Sequence, residues 1–410
     1  MNLSSTSTCI SLSEIEQAQK RISGSIYLSP CPHSQMLSEL TGQKIFLKLE
    51  NLQMTGAFKE RGALNKILTL HADEVSRGVI AASAGNHAQA VAYHAAKRGI
   101  AAHIVMPLAT PLVKVVATRN YGGRVVLHGA NYDEACDQAL RLREKHGYTF
   151  VHPFDDPAVI AGQGTIGLEL LEQVPGLEAV VAPVGGGGLI GGVACAIKER
   201  KPDVLVIGVQ TARLPSMAMA LAQHKPVTIE PAITVADGIA VRRAGDLTLP
   251  LVEHYVDEMV TVEEEDIASA ILVLLEREKT LAEGAGATAL AALLQHKTQL
   301  RGQRTAVLVC GGNIDVTLLA RIIERGLVKD GRMVRLRIHL LDRPGALHEL
   351  TRIIAEHRAN IVELLFDRAY YGVNLGETVI DVTFETRGPE QVNQLLAALT
   401  ANGYKHEQVR

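Results

Sequence analysis

The chain has 410 residues, of which 47% are hydrophobic and 36 are glycine, and its formal net charge at pH 7 is −3. This length gives room for two or three domains, and the apolar content is that of a folded α/β protein. Lysines and arginines are scattered among acidic residues, which excludes the concentrated positive charge of a nucleic-acid-binding protein.

The termini and the cysteines indicate a cellular compartment. The Ser/Thr-rich start lacks a basic region followed by an apolar core, so we expect no secretory signal. Apolar runs are too short to span a membrane, and no membrane partner is expected. Five cysteines lie far apart without a C-x-x-C pair, which favours a reducing compartment and argues against structural zinc. We therefore expect a cytoplasmic protein with no bound metal.

Strands and helices alternate along most of the chain. In the first part, strands are predicted at 44–49, 79–82, 102–106, 124–127 and 149–151, and helices at 13–23, 62–70, 87–98, 111–120 and 132–146. In the second part, helices are predicted at 164–173, 189–200 and 284–295, and strands at 179–184, 204–209 and 305–309. Such alternation predicts parallel sheets covered by helices. We expect two α/β lobes, a large one from 1–50 and 151–325 and a small one from 51–150, with a site at the carboxyl ends of their strands.

The pattern changes after a polar, glycine-bounded linker at 326–332. Strands at 334–341, 361–368 and 378–385, a short one near Val409, and helices at 345–357 and 389–401 follow in βαββαβ order. This order predicts a ferredoxin-like module over 333–410.

Four segments carry residues suited to one kind of chemistry. They are the lysine segment 52–63 with Lys59, the polar turn Ser83-Ala84-Gly85-Asn86-His87, the run Gly185-Gly186-Gly187-Gly188-Leu189, and Cys310-Gly311-Gly312-Asn313. A lysine amine condenses with carbonyl compounds, of which pyridoxal phosphate is the commonest cofactor. Glycines between a strand and a helix let backbone N–H groups converge on an anion such as phosphate.

The glycine run has a rival interpretation, because Gly186-x-Gly188-x-x-Gly191 also satisfies the dinucleotide-binding pattern. That pattern needs an acidic residue at the end of the next strand, where this chain has Gln210. Glycines that serve only close packing are the other alternative. With Lys59 present, a phosphate cradle is favoured.

In this order the four segments resemble the fold type II family of pyridoxal-phosphate enzymes. Residues 48–63 and 160–165 are similar to the threonine (serine) dehydratases within it, and the likeness extends over roughly residues 10 to 325. Residues 341–347 and 359–361 resemble ACT regulatory domains.

The resemblance implies a role for each segment. Lys59, flanked by Phe58, forms the Schiff base with pyridoxal 5'-phosphate and then removes the substrate Cα proton, and an apolar flank would lower its pKa. Asn86 bonds the ring hydroxyl, and Cys310 faces the pyridine nitrogen. The cofactor-binding residues are Phe58, Lys59, Asn86, Gly185, Gly186, Gly187, Gly188, Leu189, Gly238, Glu283 and Cys310.

The polar turn is expected to bind the substrate carboxylate through its hydroxyl and backbone donors. Its residues are Ser83, Ala84, Gly85, Asn86 and His87. The alternative is an ordinary N-cap in which Ser83 and Asn86 satisfy helix donors. His87 is more often structural than catalytic at such a position.

The implied function is that of a threonine ammonia-lyase, which would convert L-threonine to 2-oxobutanoate and L-serine to pyruvate, each with ammonia, within amino-acid metabolism such as isoleucine biosynthesis. The alternatives are a serine racemase, a β-replacement synthase of the same fold and a non-catalytic amino-acid sensor. Gln210 stands where racemase-like relatives hold a cation with an acid, which argues against both metal and racemization. We further expect a homo-oligomer, dimer or tetramer, and an amino-acid effector near Gly345, Leu347, Asn360 and Ile361.

Overall fold

The computed structural model describes residues 9–367 and 374–409, which divide into two compact units with a boundary between Ile314 and Asp315. Residues 1–8, Arg368 and Arg410, which the sequence assigned to the large lobe, to a strand and to the C-terminal module, lie outside the described residues. Within the described part, no helix is long and apolar enough to cross a membrane.

The first unit contains thirteen helices and ten strands among its described residues. The helices are α1 (Leu12–Ile22), α2 (Gln35–Thr41), α3 (Lys59–Leu68), α4 (Ala72–Arg77), α5 (Asn86–Ala96), α6 (Leu112–Asn120), α7 (Tyr132–His146), α8 (Pro157–Gln173), α9 (Gly188–Lys198), α10 (Ser216–Gln223), α11 (Thr248–Tyr255), α12 (Glu264–Arg277) and α13 (Gly284–Leu294). The strands are β1 (His33–Ser34), β2 (Lys44–Leu49), β3 (Val79–Ala82), β4 (Ala102–Met106), β5 (Arg124–Leu127), β6 (Thr149–Phe150), β7 (Ala179–Pro183), β8 (Leu205–Thr211), β9 (Glu258–Val262) and β10 (Arg304–Val309).

These strands form two sheets. Six of them follow the order β1-β2-β10-β7-β8-β9, in which all neighbours are parallel except β1 with β2. The other four, in the order β5-β4-β3-β6, are all parallel. Central strands such as β3 and β7 are buried along their whole length, as expected for parallel strands with helices on both faces. The predicted two-lobed α/β fold is confirmed.

Two helices begin three or more residues earlier than their sequence pattern predicts. Helix α8 starts at Pro157, where Asp156 caps it, instead of at Gly164. Its glycines are needed for close packing: a Cβ at Gly162 would lie 2.6 Å from the Arg61 carbonyl oxygen, and one at Gly164 would lie 2.9 Å from that of Gly192. Tertiary contact therefore overrides the low helix propensity of glycine.

Helix α3 starts at Lys59 instead of at Gly62, so the lysine expected in a loop is the first residue of a helix. The Phe58 N–H donates to the Cys310 carbonyl oxygen over 3.0 Å, and the Glu60 carboxylate accepts the N–H of Thr55. These bonds shape the turn before the helix, and no local sequence pattern encodes them.

The second unit consists of α14 (Val316–Lys329), β11 (Met333–Leu341), α15 (Ala346–Glu356), β12 (Asn360–Asp367), β13 (Glu377–Glu385), α16 (Pro389–Ala401) and β14 (His406–Gln408). Its strands form an antiparallel sheet in the order β12-β13-β11-β14. From β11 onward this is the predicted ferredoxin-like βαββαβ order. Helix α14 continues through Lys329, so only 330–332 of the expected linker lie outside helix and strand.

Candidate active site

The four segments singled out in the sequence lie at the carboxyl ends of parallel strands or beside them. Ser83 follows β3, Gly185 follows β7 by two residues, and Cys310 follows β10. The lysine segment is paired with the segment after β10: Ala57 forms an isolated β-bridge with Gly311, and the Gly312 N–H donates to the Gly56 carbonyl oxygen over 2.9 Å. This pairing places the start of α3 beside the end of the larger sheet.

Lys59 is partly exposed, and among the described residues its Nζ has one hydrogen-bond acceptor, the Pro153 carbonyl oxygen at 2.8 Å. The Nζ also lies 5.0 Å from the centroid of the Phe58 ring. Desolvation lowers the pKa of Lys59 to about 8, although the nearby Cys310 and Glu283 oppose this shift. A substantial fraction of the amine is therefore neutral near physiological pH, as a nucleophilic lysine requires.

The glycine run connects β7 to α9 and includes the first residues of α9, whose N-cap is Gly187 at φ 95°. Among the described residues, the backbone N–H groups of 185–189 have no hydrogen-bond acceptor. Two contacts fix the position of this loop. The Thr248 hydroxyl donates to the Gly186 carbonyl oxygen over 2.5 Å, and the Phe154 ring packs so closely on Gly186 that a Cβ there would collide with it. Five unpaired donors at the start of a buried helix fit the phosphate of pyridoxal phosphate.

Asn86 belongs to a chain of side-chain hydrogen bonds. Its Nδ2 donates to Glu283 Oε1 over 2.7 Å, and its Oδ1 accepts from Asn313 Nδ2 over 2.9 Å. An amide nitrogen has two N–H groups, so one remains for a ligand oxygen. Burial raises the pKa of Glu283 to about 7, with the charge of Asp237 acting in the same direction. The sequence did not assign a role to Asn313, which also donates to the Thr55 carbonyl oxygen over 2.6 Å.

Gly238 lies beside Glu283, since a Cβ on it would lie 3.2 Å from Glu283 Oε1. Its neighbour Asp237 is bound by Lys114 of α6 over 2.7 Å. The salt bridge joins α6 to the loop that holds Gly238.

The polar turn precedes α5, whose N-cap is Gly85, and no side chain caps the helix there. The Ser83 hydroxyl instead accepts the Gly85 N–H over 3.2 Å. In the described part of the chain, the backbone N–H groups of Ala84, Asn86 and His87 have no hydrogen-bond acceptor. The side-chain cap that was the alternative interpretation of this turn is therefore not formed, and these donors are available for a carboxylate.

His87 is buried, and its Nε2 donates to the Val151 carbonyl oxygen over 2.8 Å. Its buried Nδ1 has no hydrogen-bond partner among the described residues. Burial and the nearby Lys59 lower the pKa of His87 to about 3, so the ring is neutral. These contacts agree with the structural interpretation of His87.

Cys310 is buried at the end of β10, and burial together with Glu283 raises the pKa of its thiol well above the usual value. The side chain is therefore a neutral thiol. It cannot act as the aspartate-like anion that would keep a pyridine nitrogen protonated.

Residues 152–155 organise the site, although no role was predicted for them from the sequence. Pro153 holds the Lys59 amine, and Phe154 lies against Gly186. His152 Nδ1 accepts the N–H groups of Phe154 and Asp155 over 3.2 and 2.7 Å. The Asp155 carboxylate accepts three more, from residues 246, 247 and 248. The string His-Pro-Phe-Asp directly after a predicted strand was the available signal.

In the C-terminal unit, the four expected effector residues line two depressions. Gly345 and Leu347 belong to one of about 270 Å³, whereas Asn360 and Ile361 belong to another of about 470 Å³. Within one chain, the structure therefore does not bring the four residues into one pocket. No group of three or more candidate metal ligands occurs among the described residues.

Comparisons with known proteins agree with this geometry. The chain is 51% identical over 396 residues to the L-threonine ammonia-lyase of Thermotoga maritima, covering 97% of this chain and 98% of that protein. It is 43% identical to the catabolic L-threonine dehydratase of Escherichia coli strain K12, covering 76% of this chain and 96% of that protein.

Solved structures also match the fold of the chain. Threonine deaminase isoform 2 from Solanum lycopersicum matches 76% of this chain and 86% of its own, at 38% identity and a TM-score of 0.72. Maize serine racemase matches 78% and 99%, at 36% identity and a TM-score of 0.74. Family models match at residues 22–311, for pyridoxal-phosphate dependent enzymes, and at residues 334–402, for the ACT domain. The chain belongs to the family of pyridoxal-phosphate-dependent enzymes and carries a C-terminal ACT domain.

Proposed function

We propose that the protein is an L-threonine ammonia-lyase, which eliminates water from L-threonine to give 2-oxobutanoate and ammonia, and which also converts L-serine to pyruvate and ammonia. One observation carries the lyase chemistry: a partly neutral Lys59 amine lies in a site whose two loops present unpaired backbone donors. The choice of threonine is supported by relatives that bear this activity over nearly the whole length of the chain.

The cofactor, when bound, supplies an electron sink for the negative charge that develops at the substrate Cα. The backbone N–H groups of 185–189 would hold its phosphate. The free side-chain amide N–H of Asn86 would bond its ring hydroxyl. The neutral Cys310 thiol would face the ring nitrogen. Phe58, Gly238 and Glu283 would complete the walls of this site.

The chain's own residues then bind and deprotonate the substrate. The backbone N–H groups of Ala84, Asn86 and His87, with the Ser83 hydroxyl, would bind the substrate carboxylate. This binding would fix the direction of the Cα–H bond. The Lys59 Nζ would accept the Cα proton. A neutral Cys310 withdraws little charge from the cofactor ring, which favours rapid loss of the β-hydroxyl over a long-lived carbanion.

The test is a steady-state assay of purified, cofactor-loaded protein with L-threonine and L-serine. Ammonia and 2-oxo acid should form in equal amounts. A β-replacement synthase would instead consume added sulphide without releasing 2-oxo acid, and a serine racemase would return D-serine. A non-catalytic sensor would bind amino acids without any product, and that result would refute the proposal.

Regulation through the ACT domain is the second part of the proposal. An amino-acid effector near Gly345, Leu347, Asn360 and Ile361 must bind one enzyme state better than another, typically by about 1–3 kcal/mol of coupling. Removing residues 333–410 should abolish the effector response while leaving the lyase step. An unchanged response in the truncated enzyme would contradict this assignment.

We also propose a cytoplasmic homo-oligomer with the domain division expected from the sequence. Light scattering of the purified protein distinguishes dimer from tetramer, and a monomer would contradict the proposal. Cell fractionation tests the compartment.

A further inference from the structure

Arg61 follows Lys59 by two positions in α3 and is completely buried. Two residues correspond to a rotation of about 200° around a helix axis, so the two side chains leave α3 on opposite sides. Arginine is seldom fully buried in a protein unless it is paired. The burial of Arg61 beside the reactive lysine makes its partners informative.

All five N–H donors of the Arg61 guanidinium are used. Nε and one terminal nitrogen donate to the two carboxylate oxygens of Glu50, each over 2.8 Å. Both terminal nitrogens donate to the carboxylate oxygens of Glu169, over 2.6 and 2.8 Å, and one also donates to the Thr165 hydroxyl over 3.1 Å. The two bidentate pairs lie on different edges of the planar guanidinium, so the group can adopt only one orientation.

Lys48 completes this buried cluster and balances its charge. Its three N–H donors reach Glu169 Oε2 over 2.6 Å, the Ser29 carbonyl oxygen over 2.8 Å and Gln173 Oε1 over 2.9 Å. Two cations and two carboxylates therefore meet with every cationic donor paired. The cluster joins β2, the turn after it and α8, which are parts of the larger lobe, to the first turn of α3.

We propose that Arg61 is a positioning residue: by fixing the first turn of α3 against this cluster, it sets the direction in which Lys59 presents its amine to the cofactor. A small rotation of α3 would move the amine away from its acceptor at Pro153, because the helix is short and Lys59 is its first residue. This inference rests on the proposed function for its catalytic meaning. Its test does not need the lyase reaction.

The variant Arg61→Lys keeps the positive charge, but its three donors cannot form both bidentate pairs. Thr165→Val removes one acceptor of the guanidinium at nearly constant volume. The matched control is Arg21→Lys, because Arg21 also bonds to α3, but at Asn65, beyond the first turn of the helix.

Two readouts are made below the unfolding temperature of each variant. The first is the rate at which apoprotein incorporates pyridoxal phosphate, followed by its visible absorbance. The second is the pH dependence of reductive methylation of Lys59 in apoprotein, read by peptide mass spectrometry with Lys66 as internal reference. A purely structural cluster would lower the unfolding temperature and leave both readouts unchanged.

For Arg61→Lys, we expect incorporation to slow by roughly 100-fold, the loss typical of misplacing a reacting group by about 1 Å. The methylation midpoint should rise from about 8 towards the usual lysine value, because a displaced amine is better hydrated. Thr165→Val should shift both readouts less in the same direction, and Arg21→Lys should not. Unchanged readouts in folded Arg61→Lys would overturn the proposal. Should that variant not fold, unchanged readouts in Thr165→Val would do so.

Discussion

Two lysines in neighbouring regions of the molecule show how surroundings divide structural from chemical roles. Lys48, in the buried ionic cluster, has three acceptors, one of them a carboxylate oxygen at 2.6 Å. Lys59, in the cofactor site, has one carbonyl acceptor and no carboxylate within ion-pair distance among the described residues. The first is fully paired and forms a salt bridge with Glu169. The second has its pKa lowered to about 8 by desolvation and can become a nucleophile.

Two glutamates repeat this contrast. Burial raises the pKa of Glu50, but the bidentate Arg61 outweighs it, and the net shift is downward. Glu283 is equally buried and receives an amide N–H from Asn86, and its pKa is raised to about 7. Burial alone therefore decides neither charge state. The supply of opposite charge within hydrogen-bond distance does.

The largest effect is expected for Lys59→Ala. Turnover of L-threonine should fall to the background rate, and the visible absorbance of the bound cofactor should disappear, because no other amine stands at this position. The matched control is Lys66→Ala. Lys66 belongs to the same helix, but its side chain is partly exposed and forms a salt bridge with Asp156. Full activity of Lys59→Ala would refute the assignment of this lysine.

For the free energy of unfolding, the expected order is opposite: replacing Lys48 should cost more than replacing Lys59. Lys48→Met should lower the free energy of unfolding by about 3–5 kcal/mol, because Glu169 and Glu50 would then share one cation in a buried site. Lys59→Met removes a desolvated amine and should leave stability unchanged or higher. Urea unfolding of both apoproteins measures this difference. Equal losses in the two variants would show that the lysines do not differ as described.

Gly186→Ala tests the cradle beside Lys59. The new Cβ would collide with the Phe154 ring and displace the loop, so cofactor affinity should fall by about 1.5–3 kcal/mol, the range of a hydrogen bond to a charged group. Gly191→Ala is the control, because its Cβ would lie 3.3 Å from the nearest atom and its N–H already donates to the Gly187 carbonyl oxygen. Fluorescence titration with pyridoxal phosphate gives both affinities. A larger loss at Gly191 than at Gly186 would contradict the placement of the phosphate cradle at Gly186.

The sequence predicted well what local patterning encodes. The predicted bounds of the strands at 44–49, 79–82 and 102–106 agree with the structure to the residue. Buried apolar runs between turn residues leave little choice of where such a strand begins and ends. It failed where distant contacts decide: the glycines of α8 lie inside a helix because α3 and α9 approach them. Arg61 could not be recognised as buried, since Glu169 is 108 positions away. Pro153 acts through a backbone carbonyl, which any residue carries.

The smallest effect is expected for Glu283→Gln, and it concerns pH. A carboxyl group whose pKa is raised in the folded state binds a proton more tightly there than in the unfolded chain. Between pH 4.5 and about 7, the folded protein thus holds a proton that the unfolded one has lost, and this group's contribution to stability declines as pH rises.

The glutamine variant keeps an acceptor for Asn86 but cannot titrate. The difference in unfolding free energy between wild-type and variant apoprotein should therefore change by about 1–3 kcal/mol across this pH window, with the wild type losing stability on the alkaline side. Asp246→Asn is the control, because Asp246 is exposed and paired with Arg243, which holds its pKa below the usual value. A pH-independent difference for Glu283→Gln would mean that Glu283 ionises like Glu50, and the contrast between the two buried regions would then be limited to their lysines.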